Sequence, residues 1–280
     1  MGPVMTSATG PYGDLIPTTV RVLTWNVWGR FGPWQEREAA LIGTLEALAP
    51  DVVALQEAWC DRGGQDQAAR LAKALGYHGA YGGGTFLAED WGTGSGLLSR
   101  WPIEHHEYRE FPALAPDRWG GSALFGRIAG PRGTLSAFSV ALDWPPHASA
   151  VRQASVRHLV SFVHEVAGPA FPTVICGDFN APPDSDELRM LTGRTDTVAP
   201  GFALFDAWEM AGNGSGHTWA RHNPWAAPTL LPDKRIDYIL VGRPRRGGAG
   251  HVVRCAIAGA EPVDGVVASD HYAVVADLRY

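Results

Sequence analysis

The chain has 280 residues, 45% of them hydrophobic, enough for a substantial core in one large domain or two small ones. A formal net charge of −6 advertises no broad basic surface for a salt-dependent grip on nucleic acid, although a local positive groove is compatible with an acidic total. Three cysteines without any C-x-x-C pair argue against a disulfide framework or a structural zinc site, and a reducing compartment is the simplest reading.

The opening stretch MGPVMTSATGPYGDLIP lacks the cationic start and continuous apolar run of a signal peptide, and no stretch approaches the length of a membrane span. The expectation is a cytoplasmic protein without membrane insertion, with a loose tail over 1–18 and a single domain over 19–280. Runs of β-branched and aliphatic residues then predict strands at TVRVLTWNV, DVVALQE, GLLS, ALFGRI, TLSAFSVAL, TVICGD, RIDYILVG, HVVRCAIA and YAVVADL. Helical spacing predicts helices from Glu36 to Leu48, Gln65 to Leu75, and about Ala148 to Val166. The last carries Val151, Leu159, Phe162, Val163 and Val166 on one face. Pro and Gly clusters near 82–84, 129–133, 212–216 and 243–250 read as surface loops, none long enough to link domains. No repeat of fixed period is present, and two sheets flanked by helices fit this mixed order.

Several chemistries are excluded by what is missing. GTGSGLL places Leu97 where a dinucleotide fingerprint needs its third glycine, and no P-loop is present. HEVAG has Gly168 where a zinc-protease helix needs its second histidine. Ser95 lacks the preceding glycine of a nucleophile elbow.

What is present is a set of polar groups beside apolar strands. Asn26 ends VLTWN, Glu57 ends VVALQE, Asp178 and Asn180 follow TVIC, Asp237 lies in RIDYIL, and Asp270 with His271 precedes YAVVADL. Asp178 and Asn180 have a plain reading as turn formers before Pro182 and Pro183. Four carboxylates, two amides and an imidazole at strand ends nevertheless call for a shared explanation, because a buried carboxylate is costly unless paired or metal-bound. Convergence at one end of the sheets supplies it. An oxygen-rich, sulfur-free cluster suits a hard cation such as Mg²⁺ or Mn²⁺.

In order, TWNVWG, LQE, GLLSR, GDFN, GHTW, RIDYIL and SDH resemble the signature of the endonuclease/exonuclease/phosphatase superfamily, the DNase I-like metal-dependent phosphohydrolases, from about residue 20 to the C-terminus. The resemblance implies a four-layer αββα sandwich, with two packed, mostly antiparallel sheets and the active site at one edge. It implies Glu57 as the principal metal carboxylate, Asn26 beside it, and Asp270 as a direct or water-mediated ligand. Asp237 and His271 resemble the family's Asp–His pair, the carboxylate fixing the imidazole tautomer. Asp178 would orient or deprotonate the attacking water and Asn180 would stabilise charge on phosphorus. Whether Asp178 or His271 is the general base stays open at this level.

One departure stands out. Where the family usually carries Thr-His-Leu, the chain reads Val140, Ala141, Leu142. Losing one transition-state donor typically costs about 10²- to 10³-fold. Either the metal and solvent cover that role, or His147 or a residue from another loop substitutes, or the enzyme is slow.

Trp219 in GHTW, Arg118 and Trp119 in DRWGG, and Trp91 form a candidate substrate rim, with ordinary packing as the alternative. The expected activity is metal-dependent hydrolysis of a phosphoester, a small or lipid-like ester slightly favoured over nucleic acid, with no obligate protein partner. A nuclease of the same superfamily is the alternative, and a weakened phosphate-binding protein or a member recruited to other chemistry is the alternative that Ala141 raises.

Overall fold

The computed structural model describes residues 10–114 and 119–280. Its strands in chain order are β1 (Thr19–Asn26), β2 (Val52–Asp61), β3 (His78–Phe86), β4 (Trp91–Ser99), β5 (Ile103–Glu110), β6 (Ser122–Gly130), β7 (Gly133–Ala141), β8 (Val174–Asp178), β9 (Leu204–Asp206), β10 (Asp237–Gly242), β11 (Val252–Ala258) and β12 (Ala273–Arg279). The α-helices are α1 (Trp34–Leu48), α2 (Gln67–Leu75), α3 (Ser149–Val166), α4 (Asp186–Leu191) and α5 (Ala207–Ala211). Two six-stranded sheets result, ordered β11-β12-β1-β2-β4-β3 and β5-β6-β7-β8-β10-β9. Pairing is antiparallel except for β1 with β2 and β7 with β8. The parallel pairs are joined through α1 and α3, as parallel neighbours require a crossover.

The alternation of each strand sorts its side chains between two cores. Val20, Val22, Val174, Cys176, Ile239 and Val241 belong to the cluster between the sheets. The opposite parity packs Leu23, Trp25, Val53 and Leu55 beneath α1 and α2, and Phe138, Ile175 and Leu240 beneath α3 and α4. The layers are therefore helix, sheet, sheet, helix. Arg37, Leu41 and Leu45, one helical turn apart, are the buried stripe of α1, which ends where Ala49 turns left-handed at φ 47° ahead of Pro50. Asp66 caps α2 by accepting from the Ala69 N–H at 2.7 Å, and Gly76 closes it in the left-handed region.

Several expectations need correction. The glycines at 82–84 lie inside β3 rather than in a loop, and a Cβ on Gly82 would stand 2.5 Å from that of Tyr108, so the glycine permits close approach of the two sheets. Strands β3, β5 and β9 carry no apolar run that marks them. The strand at GLLS begins earlier, at Trp91. Glu57 does not end β2 but interrupts it, at a break in register with β4 between Leu55 and Ala58. Of the expected tail, residues 10–18 are described, and there Ile16 donates to the Gly247 carbonyl while Gly247 donates to that of Tyr12. Among the described residues no helix is long and apolar enough to cross a membrane.

Candidate active site

The face of each strand that builds the inter-sheet core turns polar where the sheets end. Along β1 it runs Val20, Val22, Thr24, Asn26; along β8, Val174, Cys176, Asp178; along β10, Val241, Ile239, Asp237. Asp237 and Asp178 are direct partners across the β8–β10 ladder, and Asp178 and Ala141 across β7–β8. One cross-strand row therefore carries Ala141, Asp178 and Asp237 side by side.

Hydrogen bonds join this row to the facing sheet. Asn26 Nδ2 donates to Glu57 Oε1 at 2.9 Å and to Asp178 Oδ2 at 3.0 Å, so one amide bridges two carboxylates. The Trp28 N–H holds Asn26 Oδ1 at 3.1 Å. Asn180 donates its backbone N–H to Asp178 Oδ1 at 2.9 Å, and its amide to the Leu142 carbonyl at 3.0 Å and Asp178 Oδ2 at 3.3 Å. Glu57 and Asn180 adopt φ of 53° and 50°, a left-handed conformation that the asparagine accepts readily and the glutamate does not. The break in register re-aims Glu57 towards the edge.

His271 Nδ1 lies 2.9 Å from Asp237 Oδ2, and its Nε2 is 3.9 Å from Asp178 Oδ2. Ser269 fixes the approach: its hydroxyl donates to the Asn26 carbonyl at 2.6 Å, lies 3.2 Å from Asp270 Oδ1, and accepts from the His271 N–H at 3.3 Å. Asn223 donates to the carbonyls of Ser269 and Asp270 at 2.9 and 3.0 Å. Trp219 meets the His271 ring edge-on, centroids 5.0 Å apart.

Charge is concentrated here under burial. Burial pushes Asp178 up to about 7, Asp237 adds to the rise, and His271 and the Asn26 amide oppose it. Burial also raises Asp270 to about 7, with Glu57 adding and His271, Ser269 and Arg37 opposing. For His271 burial disfavours the cation, yet Asp237, Asp178 and Asp270 together hold it well above the ordinary histidine value.

The structure thus gathers Glu57, Asp178, Asn180, Trp219, Asp270 and His271 on one cavity of about 210 Å³, with Asn26 bonded to two of its walls and Asp237 behind the imidazole. Trp119 lies apart from these, on a larger adjoining cavity, and Arg118 lies outside the described residues. Trp91 lines neither cavity and packs edge-on against Phe31 at 5.1 Å. Two further residues belong to this region without standing in any of the sequence motifs: Trp144, 72% exposed yet lining both cavities, and Arg37. Arg37 is fully buried and donates to the carbonyls of Val27, Trp28, Gly29, Phe31 and Ala268, clamping the β1–α1 loop to the segment before Asp270. Its signal was a charge on the apolar stripe of α1.

A divalent cation fits these residues. Asp178, Asp237 and His271 offer ligand atoms within 4.8 Å of one another, and among the described residues the buried Asp237 Oδ1 has no hydrogen-bond partner. Since His271 already uses Nδ1 on Asp237, the donors that remain are mostly carboxylate oxygens, the chemistry of a hard cation.

Two facing sheets with helices outside and a polar edge are the DNase I-like fold. The sequence matches the endonuclease/exonuclease/phosphatase family over residues 23–271, and the chain belongs to that family, part of a superfamily of metal-dependent phosphoesterases and nucleases. Among solved structures, an endonuclease/exonuclease/phosphatase family protein from Leptotrichia buccalis superposes with a TM-score of 0.71 at 16% identity, covering 93% of this chain and 100% of that one. D. rerio TDP2, complexed with single strand DNA product, gives 0.71 at 21%, covering 94% and 99%. The human Nocturnin catalytic domain with bound sulfate anion gives 0.70 at 20%, covering 94% of each. At these identities the likeness speaks for the fold alone. No curated protein matches the sequence.

Proposed function

We propose that the protein is a divalent-metal-dependent phosphoester hydrolase in which water attacks phosphorus. The observation that carries this reading is the joining of Asp178, across one sheet edge, to the His271–Asp237 pair on one side and to Asn26 and Glu57 on the other. Glu57 and Asp270, carboxylates on the same cavity as Asp178 and His271, would hold Mg²⁺ or Mn²⁺ with Asn26 beside them, leaving the close-set Asp178–Asp237–His271 group to the water and the phosphate. When bound, the cation supplies charge stabilisation for the phosphate and the departing oxygen.

The remaining work falls to the chain's own groups. Asp178, raised to about 7, is matched to accepting the proton of the attacking water near neutral pH. Asn180 holds that carboxylate through its N–H, and directs its amide at the same region. His271, kept cationic by Asp237, presents Nε2 to the phosphate oxygens as negative charge grows during attack. The bond from water oxygen to phosphorus forms as the ester bond breaks, the water proton passes to Asp178, and the alcohol leaves as the oxyanion and is protonated by solvent.

The test is product release from a panel of phosphomonoesters, phosphodiesters and abasic-site oligonucleotides in Mg²⁺, Mn²⁺ or EDTA. Metal-dependent hydrolysis of a small ester supports the reading. Hydrolysis confined to oligonucleotides would make the protein a nuclease, and metal binding without hydrolysis of anything would make it a binding protein.

A further inference from the structure

The row that carries Asp237 and Asp178 continues through Ala141 to Ser122 on β6. Beside it lies a cavity of about 370 Å³, lined at one end by Asn26, Glu57, Asp178 and Asn180. That volume is at the small end for an organic ligand. The cavity occupies the edge of the gap between the sheets, where Thr93 and Ser95 of β4 meet Tyr108 of β5 and Ser122 of β6. Phe31, Leu87, Trp119 and Trp144 supply apolar wall.

Three properties define what fits. Among its described lining residues there is no Lys, Arg or His, so none of them beyond the catalytic end answers a second phosphate. Ser95 is 1% exposed and lines the cavity, yet among the described residues its Oγ has no partner; the buried Nε1 of Trp119, also in the lining, has none among them either. A buried donor left unmade is costly, and an indole N–H can only donate. Finally, Ala141 ends at Cβ in the wall beside Asp178. A histidine there would project into the space.

We propose that this cavity binds the organic group of the phosphoester, and that the group is a compact, uncharged ring bearing a hydrogen-bond acceptor for Ser95 Oγ and Trp119 Nε1. The inference rests on the proposed function for the position of the phosphate, at Asp178 and Glu57. Replacement of the family histidine by Ala141 is then the space in which the ring sits, rather than a simple loss.

Calorimetric binding of 4-hydroxyacetophenone and of phenol, which lacks the acceptor, tests this in EDTA, since neither probe carries a phosphate that needs the cation. The wild-type protein binds the acetyl-bearing ring more tightly. Ser95→Val and Trp119→Phe each reduce that preference about three- to tenfold, the worth of one hydrogen bond. Ala141→Phe, which fills the cavity, removes binding of both rings. Trp119→Phe keeps its ring and is the safeguard if Ser95→Val fails to fold. Equal wild-type affinities, or a preference unchanged in both donor variants, would overturn the assignment of the cavity and leave metal-dependent hydrolysis of other esters, and thus the proposed function, standing. Tight, donor-dependent binding without hydrolysis of any ester in Mg²⁺ or Mn²⁺ would overturn the proposed function and keep the cavity.

Discussion

His271 turns Nδ1 onto the buried carboxylate of Asp237 at 2.9 Å, while the second Asp237 oxygen has no hydrogen-bond partner among the described residues. The pair acts as a unit, since the carboxylate both orients the ring and favours its cation. Asp237→Asn removes the charge and keeps the shape. Its kcat is expected to fall by about 10²- to 10⁴-fold, the usual worth of a positioned acid–base group, with circular dichroism unchanged. A variant with wild-type kcat would place His271 outside the reaction.

Glu57 adopts a left-handed conformation at the break in the β2–β4 ladder and accepts from Asn26. A strained glutamate held at the site edge is expected to serve the cation. In Glu57→Gln the rise in melting temperature on adding Mg²⁺ or Mn²⁺ shrinks, because stabilisation by a ligand follows its affinity for the folded state. An unchanged titration would assign the metal to other carboxylates.

Arg37 donates to five carbonyls from inside the protein, and burial lowers its pKa to about 10 against the pull of Asp270 and Glu57. Methionine fills similar space but satisfies none of those acceptors. Arg37→Met is expected to lose on the order of 3–5 kcal/mol in urea unfolding, as for breaking a buried charged network. A loss below about 1 kcal/mol would mean that water replaces the guanidinium.

Asp270 gives a pH test in EDTA. Its folded pKa, near 7, lies above the unfolded carboxylate value, so between about pH 4 and 7 the folded state binds more protons and stability falls as pH rises. His271, also raised, has the same sign above its ordinary value, its contribution being lost as pH climbs through the folded pKa. Asp270→Asn cannot ionise. Its melting temperature relative to wild type therefore rises from pH 5 to pH 8. A difference that stays flat or falls would show that Asp270 is not held protonated in the metal-free fold.

The parts of this molecule that were legible in sequence are those where apolar runs meet polar residues. The inter-sheet strands β1, β8 and β10 announced themselves, and their last inward residues are the site. β5, IEHHEYRE, was hidden because an edge strand with a largely exposed face carries charge rather than aliphatic side chains. β3 was hidden because the close approach of Tyr108 requires glycine, which reads as a loop. The larger cavity was equally silent: Ser95, Ser122 and Ala141 are ordinary strand residues until two sheets bring them together. Trp119 and Trp219 share a residue type but not a cavity, a distinction that only the fold makes.

The step proposed for this site is attack of water on phosphorus with Asp178 taking the proton. It is tested by hydrolysis, in heavy-oxygen water with Mg²⁺ or Mn²⁺, of the ketone-free phosphoester turned over fastest in the panel, with mass spectrometry of both products, for wild type and Asp178→Asn. For wild type the label is expected in phosphate and not in the alcohol, and the folded variant is expected to show no turnover above background. Label in the alcohol, or labelled phosphate formed at the wild-type rate by Asp178→Asn, would contradict it.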